Sequence, residues 1–435
     1  MLKLIETKKK GEDLSQADIE YWIEGAVAGR IPDYQSAALL MAIRLMGMTT
    51  EEIRYLTMAM LHSGDQLHFD GYSQILDKHS TGGVGDKVTL VLAPLMAACG
   101  VPVAMLSGRG LGFTGGTIDK FESIKGVKCS FSREEMQCIL NEAGWTNSMP
   151  TRDLVPADRL LYALRDVTST VDSIPLITAS IMSKKLAGGA TDLCLDVKCG
   201  QAAFMRTQHE AQALYRSLKQ VGDCCGLKVK GIISRMDEPL GRAVGNYVEV
   251  LESVQLLKQH STLPLMGLIE DLGEVMLSMA RPELTSAQAR ELMERRIEDG
   301  SALAAFYRYL RLSGAEDQVI SELDQMTYEK LAYSPILAEK SGQVTAISGR
   351  AIAESARDLG AGRLKKEDAI DPMAGILLNK VVGQKVNAGE ILAWCSSEKL
   401  SLETESRIRA AFKVDAGPLN SSAGLATPLT LQLMD

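Results

Sequence analysis

The chain has 435 residues, 46% hydrophobic and 5% aromatic, with a formal net charge of −8. That length exceeds one hydrophobic core and implies two or three domains, while the acidic balance leaves no basic surplus for a nucleic-acid backbone. No apolar run approaches the roughly 20 residues of a membrane helix, and Met1-Leu2-Lys3-Leu4-Ile5-Glu6 turns acidic too early for a signal peptide, so a soluble cytoplasmic protein with neither nucleic acid nor membrane as partner is expected.

The first sixty-odd residues read as helices. Ser15-Gln16-Ala17-Asp18 and Thr49-Thr50-Glu51-Glu52 each resemble a capping box, and the apolar run Ala37 to Met46 ends at Gly47. No strand pattern appears before about Ile75. From there apolar segments alternate with glycine turns: a helix over Val88 to Ala98, and strands over Val101 to Leu106, Leu193 to Val197 and Gly231 to Ser234. This alternation predicts a mostly parallel sheet with crossover helices. A helical insert, Asp158 to Val167 and Ile177 to Leu186, interrupts it. After about residue 330, short β-prone runs (Gly375 to Leu378, Ile391 to Trp394) lie between glycines and indicate a small third domain. The expected fold class is α/β. A helical domain (1–65 and 157–190) faces a larger, mostly parallel α/β domain (66–156 and 191–330) across a cleft, and a C-terminal α+β domain (331–435) follows. The cysteines are scattered without a CxxC pair, so reduced thiols are expected, with Cys224-Cys225 at a helix end.

Two glycine-rich loops carry the strongest chemical signal. They are Lys78-His79-Ser80-Thr81-Gly82-Gly83-Val84-Gly85-Asp86 and Ser107-Gly108-Arg109-Gly110-Leu111-Gly112-Phe113-Thr114-Gly115-Gly116-Thr117. Glycine lets backbone N–H groups approach a ligand closely, a following helix start adds a positive dipole end, and the hydroxyls and cations complete a phosphate cradle. Ser180 and Lys184 are four apart and share a helix face, which Arg165 of the neighbouring helix can join.

Three ordered blocks then resemble the thymidine phosphorylase and pyrimidine-nucleoside phosphorylase family: Ser107 to Glu122, Tyr162 to Lys185, and Leu359-Gly360-Ala361-Gly362-Arg363 with Ile370-Asp371-Pro372. The resemblance implies reversible phosphorolysis of a pyrimidine nucleoside to the free base and an α-pentose 1-phosphate, by a homodimeric pentosyltransferase of nucleoside salvage. Phosphate, a co-substrate rather than a cofactor, falls to Lys78, Ser80, Thr89, Ser107 and Thr117. The base falls to His79, Arg165, Ser180 and Lys184, with His79 supplying or sharing the proton as the bond breaks. Leu111, Tyr162, Ile177 and Phe204 form the apolar walls. No cofactor is implied. His62, His68, His209 and His260 lie outside any motif and read as surface or packing residues.

Some relatives bind potassium near the position of Lys87, with partners matching Gly85, Leu240, Ala243 and Glu252. Here the ammonium of Lys87 is expected to reach Glu252 and replace the ion, so no metal is expected. Met105 stands where broad-specificity relatives carry lysine, which favours 2′-deoxynucleosides, thymidine first. The sequence departs from the family at Gly112-Phe113-Thr114, Gln201-Ala202-Ala203-Phe204 and Pro150-Thr151-Arg152. The first two departures suggest an altered latch between domains in which Phe113 meets Gln201 and Ala202. A broader phosphorylase using uridine, a silent nucleoside-binding protein, and a magnesium-dependent enzyme similar to anthranilate phosphoribosyltransferase are the alternatives.

Overall fold

Local capping chemistry sets the first elements. The computed structural model describes residues 1–434 apart from 111–114, 262, 364–367 and 416–427. Among the described residues the chain opens on α1 (Leu2–Lys9), α2 (Gln16–Val27), α3 (Asp33–Met46) and α4 (Thr50–Leu61). Both expected capping boxes form: Ser15 Oγ accepts from the Asp18 amide while Asp18 accepts from the Ser15 amide, and Thr49 and Glu52 do the same. Gly47 ends α3 at φ 78°.

Glu52 does more than cap. Its buried carboxylate also accepts from Lys8 Nζ at 2.8 Å and the Leu14 amide at 2.8 Å, tying α1 and the loop before α2 to the start of α4.

The α/β region follows as β1 (Leu76–Ser80), α5 (Val88–Ala98), β2 (Val103–Leu106), α6 (Thr117–Glu122), α7 (Arg133–Ala143) and β3 (Trp145–Ser148). The insert supplies α8 (Pro156–Val167) and α9 (Ile174–Ala187), which pack on α2, α3 and α4. The α/β region resumes with β4 (Asp192–Cys199), α10 (Gln208–Cys224), β5 (Lys228–Arg235) and β6 (Ala243–Gly245). Five helices then complete this region: α11 (Tyr247–Lys258), α12 (Pro264–Ala280), α13 (Ser286–Glu298), α14 (Ser301–Leu312) and α15 (Asp317–Gln325).

The C-terminal region comprises β7 (Tyr333–Leu337), β8 (Gly342–Ile347), α16 (Gly349–Ala356), β9 (Gly375–Leu378), β10 (Lys385–Val386), β11 (Ile391–Ser396), α17 (Leu402–Ala410), β12 (Phe412–Asp415) and β13 (Thr430–Met434). The central sheet runs β13-β5-β4-β1-β2-β3, parallel throughout except for β13. Side chains of β4 alternate, as a pleated strand requires. Leu193, Leu195 and Val197 join the core shared with the helical domain, while Cys194 joins the opposite core with α5 and α12.

The expected helical, parallel α/β and C-terminal regions are all present, but the expected boundary at residue 330 is crossed twice. β6 pairs with β9 in the C-terminal sheet, and β13 returns to pair with β5 at the edge of the central sheet. Both pairings span long stretches of chain, which local pattern does not encode. Cys224 ends α10 as expected, and the cysteines are free among the described residues. No helix among the described residues is long and apolar enough to cross a membrane.

Removing one partner of a buried ion pair strands the other charge. Glu52→Ala is therefore expected to cost about 3 kcal/mol of stability, and more than the about 1 kcal/mol of Thr49→Ala, which removes only a cap. Urea unfolding followed by circular dichroism checks the order.

Candidate active site

The carboxyl ends of β1, β2 and β4 open onto a cleft of about 690 Å³, whose far wall is α8 and α9. That is where an open parallel sheet places its ligands. Lys78, His79, Ser80, Thr89, Ser107, Thr117, Tyr162, Arg165, Ile177, Ser180, Lys184 and Phe204 all line this one cavity. The structure thus brings together every expected site residue except Leu111, which lies outside the described residues, as does Phe113.

On the sheet side, Lys78 is buried between two carboxylates, with Nζ 3.6 Å from Asp196 and 4.0 Å from Asp86. Ser80 Oγ donates to Asp86 at 2.6 Å. Behind them Lys198, fully buried, pairs with Asp196 at 2.6 Å, and Ser234 donates to the same carboxylate. Burial pushes the Asp86 carboxyl up, but the ammonium groups of Lys78 and Lys198 and the Ser80 hydroxyl outweigh it and hold it well below the usual carboxylate range. The site is thus charged and internally neutralised.

On the helical side, Asp158, Tyr162 and Arg165 fall at i, i+4 and i+7 on one face of α8, opposite Ile177, Ser180 and Lys184 on α9. Lys184 Nζ donates to Ser180 Oγ at 3.0 Å and to Asp158 at 2.6 Å. Arg165 is not a surface residue. Its guanidinium is buried and donates to the carbonyls of Thr170, Leu176 and Val171, at 3.3, 3.1 and 2.7 Å. It therefore shapes the α8–α9 turn as well as the cleft, and its Cζ lies 5.5 Å from the Tyr162 ring centroid. Phe204 projects into the opening, half exposed.

His79 points from β1 into this cleft between the two groups. Burial, followed by the positive charges of Lys185, Lys184 and Lys78, holds its imidazole well below its ordinary value near 6.5. A neutral ring donates one N–H and accepts at the other nitrogen. The remaining histidines carry no site chemistry: His62, His68 and His209 are exposed, and His260 pairs with Glu270 at 2.6 Å.

Lys87 reaches Glu252 as expected, at 2.8 Å, and its ammonium also donates to the carbonyls of Leu240 at 2.7 Å and Ala243 at 3.0 Å. Two carbonyls and a carboxylate are the oxygen donors a monovalent cation takes, and here a fully buried ammonium fills the space among them. Gly85 packs beside it at φ 68°, where a Cβ would lie 2.7 Å from the Leu240 carbonyl oxygen. The residues therefore do not fit a bound potassium ion.

Sequence reasoning missed the carboxylates. Asp158 could have been found from its helical spacing to Tyr162 and Arg165, and Asp86 stands within the first glycine loop. Asp196, and Asp77, which pairs with Lys185 of α9 at 2.8 Å, left no signal, because only strand register brings these two carboxylates to the site. Gln201 accepts from Arg206 at 3.1 Å and Ala202 is buried against the start of α16. The partner expected for both, Phe113, lies outside the described residues.

Comparison with known proteins defines the class of this fold and site. Residues 2–64 match the helical bundle domain of the glycosyl transferase family, residues 72–303 its a/b domain, and residues 343–413 the pyrimidine nucleoside phosphorylase C-terminal domain. The pyrimidine-nucleoside phosphorylase of Staphylococcus haemolyticus is 46% identical over 407 residues, covering 93% of each chain. That of Geobacillus stearothermophilus is 42% identical over 423 residues, covering 97% of this chain and 98% of its own. The chain belongs to the pyrimidine-nucleoside phosphorylase family. Anthranilate phosphoribosyltransferase from Thermus thermophilus superposes with a TM-score of 0.57 at 18% identity, over 71% of this chain and 99% of that one, and so shares the fold.

A histidine whose folded value lies below its unfolded value contributes stability above about pH 6.5, and that contribution is lost as pH falls. The unfolded chain takes up the proton first. The melting temperature of wild type is accordingly expected to fall more steeply between pH 6.5 and 5 than that of His79→Gln. Scanning calorimetry across this range checks the sign.

Proposed function

We propose that the chain catalyses reversible phosphorolysis of pyrimidine nucleosides in the cytoplasm, as a pentosyltransferase of nucleoside salvage that prefers thymidine and deoxyuridine. The observation that carries this reading is the division of one cleft: hydroxyls and Lys78 on the glycine loops face a second set, Arg165, Ser180 and Lys184, across it. Lys78, Ser80, Thr89, Ser107 and Thr117 take the phosphate. Arg165, Ser180 and Lys184 take the carbonyl-edged rim of the pyrimidine. Tyr162, Ile177, Phe204 and, by the family resemblance, Leu111 wall the base.

The phosphate oxygen attacks the anomeric carbon as the bond to the base nitrogen breaks, and negative charge develops on the departing base. Positioning and preorganised charge supply most of the acceleration. His79, held neutral, donates its N–H to the pyrimidine and shares the proton as the bond breaks. Lys184 already has Asp158 as counter-ion, so the base anion meets a cation that was charged and oriented beforehand. Met105 supports the preference for deoxynucleosides. It is buried on β2, lines the cleft, and offers no charge or hydrogen-bond donor to a 2′-hydroxyl.

The ammonium of Lys87 does the work of a bound cation, so activity needs no potassium and no other cofactor. The enzyme works as a homodimer. Tyr34, Met41 and Leu45 fall at i, i+7 and i+11 on α3 and are exposed, beside exposed Leu2 of α1. Such a row of large apolar side chains fits a second copy of this chain.

Base release followed by ultraviolet absorbance tests the reading. Phosphate-dependent release from thymidine and deoxyuridine, well above that from uridine, is expected. Equal release from uridine removes the Met105 argument, and binding of thymidine without release removes the chemistry. Lys184→Ala is expected to lower kcat/KM by about 10²–10³-fold. Replacing potassium chloride by choline chloride is expected to leave wild-type activity unchanged, and a requirement for potassium would overturn the role given to Lys87.

A further inference from the structure

The third sequence block, Leu359-Gly360-Ala361-Gly362-Arg363, lies in the C-terminal region and contributes nothing to the cleft lining. Its arginine nevertheless reaches the second glycine loop. Arg363 Nη1 donates to Asp119 Oδ1 at 3.0 Å, and the other oxygen of the same carboxylate accepts from the backbone N–H of Gly110 at 2.6 Å. Asp119 is nearly fully buried, at 3% side-chain exposure, so both of its partners matter. Gly110 lines the cleft, while Asp119 and Arg363 stand behind it.

The same loop is closed on itself. A Cβ on Gly116 would lie 2.1 Å from the Gly110 amide nitrogen, so the two limbs touch backbone to backbone. Lys120 braces the second limb through the Gly116 carbonyl at 3.3 Å, while its ammonium pairs with buried Glu249 at 3.4 Å. Arg363 itself is held in place from the other side. Asn246 donates to the Ala361 carbonyl at 2.8 Å, and the Tyr247 amide donates to the Pro372 carbonyl.

We infer that Arg363 is a positioning residue for the phosphate site. Through Asp119 it fixes the limb of the second glycine loop that carries Ser107 and Gly110, and so makes phosphate binding depend on the C-terminal region. The inference rests on the placement of phosphate at Ser107 and Thr117 proposed above. Two oxygens of one carboxylate cannot both stay in place when the charge opposing them is removed, because a buried anion without its cation draws other donors or water. The loss then appears in the geometry of the Gly110 limb. The polar groups proposed for the base on α8 and α9, Arg165, Ser180 and Lys184, share no hydrogen bond or ion pair with Asp119 or Arg363 among the described residues.

The test compares Arg363→Gln, Arg363→Lys and Asp119→Asn with wild type, measuring KM separately for phosphate and for thymidine together with melting temperature. Arg363→Gln is expected to raise the phosphate KM by about tenfold, as for one lost charge-assisted contact, with the thymidine KM changed less than about twofold. Arg363→Lys is expected to recover part of that loss. The double variant Arg363→Gln/Asp119→Asn is expected to be little worse than either single variant, since the two act through one contact. A folded Arg363→Gln with unchanged phosphate KM would overturn the inference, as would equal rises in both KM values that track a lowered melting temperature. Wild type is the control for the underlying reading. If it releases no base, titration calorimetry with inorganic phosphate compares the same variants, and equal affinities for wild type and Arg363→Gln would sink the inference on its own.

Discussion

Burying ammonium groups beneath and beside one cleft, each against a carboxylate, is the constraint that organises this molecule. Among the described residues, Lys78, Lys87, Lys120, Lys185 and Lys198 are almost wholly removed from water, and each faces a carboxylate within 4 Å. An unpaired ammonium in such a place would cost several kcal/mol. The partners Asp77, Asp196, Glu249 and Glu252 therefore offset the burial of these groups. The parallel sheet makes the pairing possible: in register, Lys78 lies beside Cys194 and Ser80 beside Asp196, so β4 delivers its carboxylate to the same sheet end as the β1 cation.

This arrangement has a consequence for how an anion binds. Asp86 and Asp196 flank Lys78, and the Ser80 hydroxyl donates to Asp86. On the proposed reading, a phosphate bound here takes donors from carboxylates already in place, so its net gain is smaller than the cation count implies. What the preformed network supplies instead is orientation, since none of these side chains needs ordering when the ligand arrives. Lys87 applies the same principle away from the cleft: a tethered cation gives Glu252 and two carbonyls a fixed partner.

How much of this was legible in the sequence follows from where each signal is stored. Helix starts were readable because capping is local: Ser15 with Asp18 and Thr49 with Glu52 formed as their spacing implied. The helix over Val88 to Ala98 was readable because it is apolar all round. The strand β3 was not, since Thr146, Asn147 and Ser148 are buried polar residues that carry no strand pattern. The site's donors were visible through two glycine loops and a helical i, i+4 pair, together with a family resemblance. Their acceptors were largely invisible, because Asp196 and Asp77 reach the site only through strand register and Asp119 meets Arg363 across 244 residues.

The same distinction explains why the C-terminal region belongs to the enzyme's working parts. By length and texture residues 331–435 resemble an appended domain, yet β13 completes the edge of the central sheet and β6 completes the edge of the C-terminal one. Each body supplies a strand to the other, so neither can move freely against its neighbour without breaking ladder hydrogen bonds. Among the described residues the helical body exchanges no strand with the sheet; it meets it through packed side chains, the Lys185–Asp77 ion pair between α9 and β1, and the Leu67 amide donating to the Ala187 carbonyl. On the proposed reading, the phosphate-side loop is therefore tied to the C-terminal region through Arg363 and Asp119, while the base-side groups Arg165, Ser180 and Lys184 stand on the opposite wall of the same cleft.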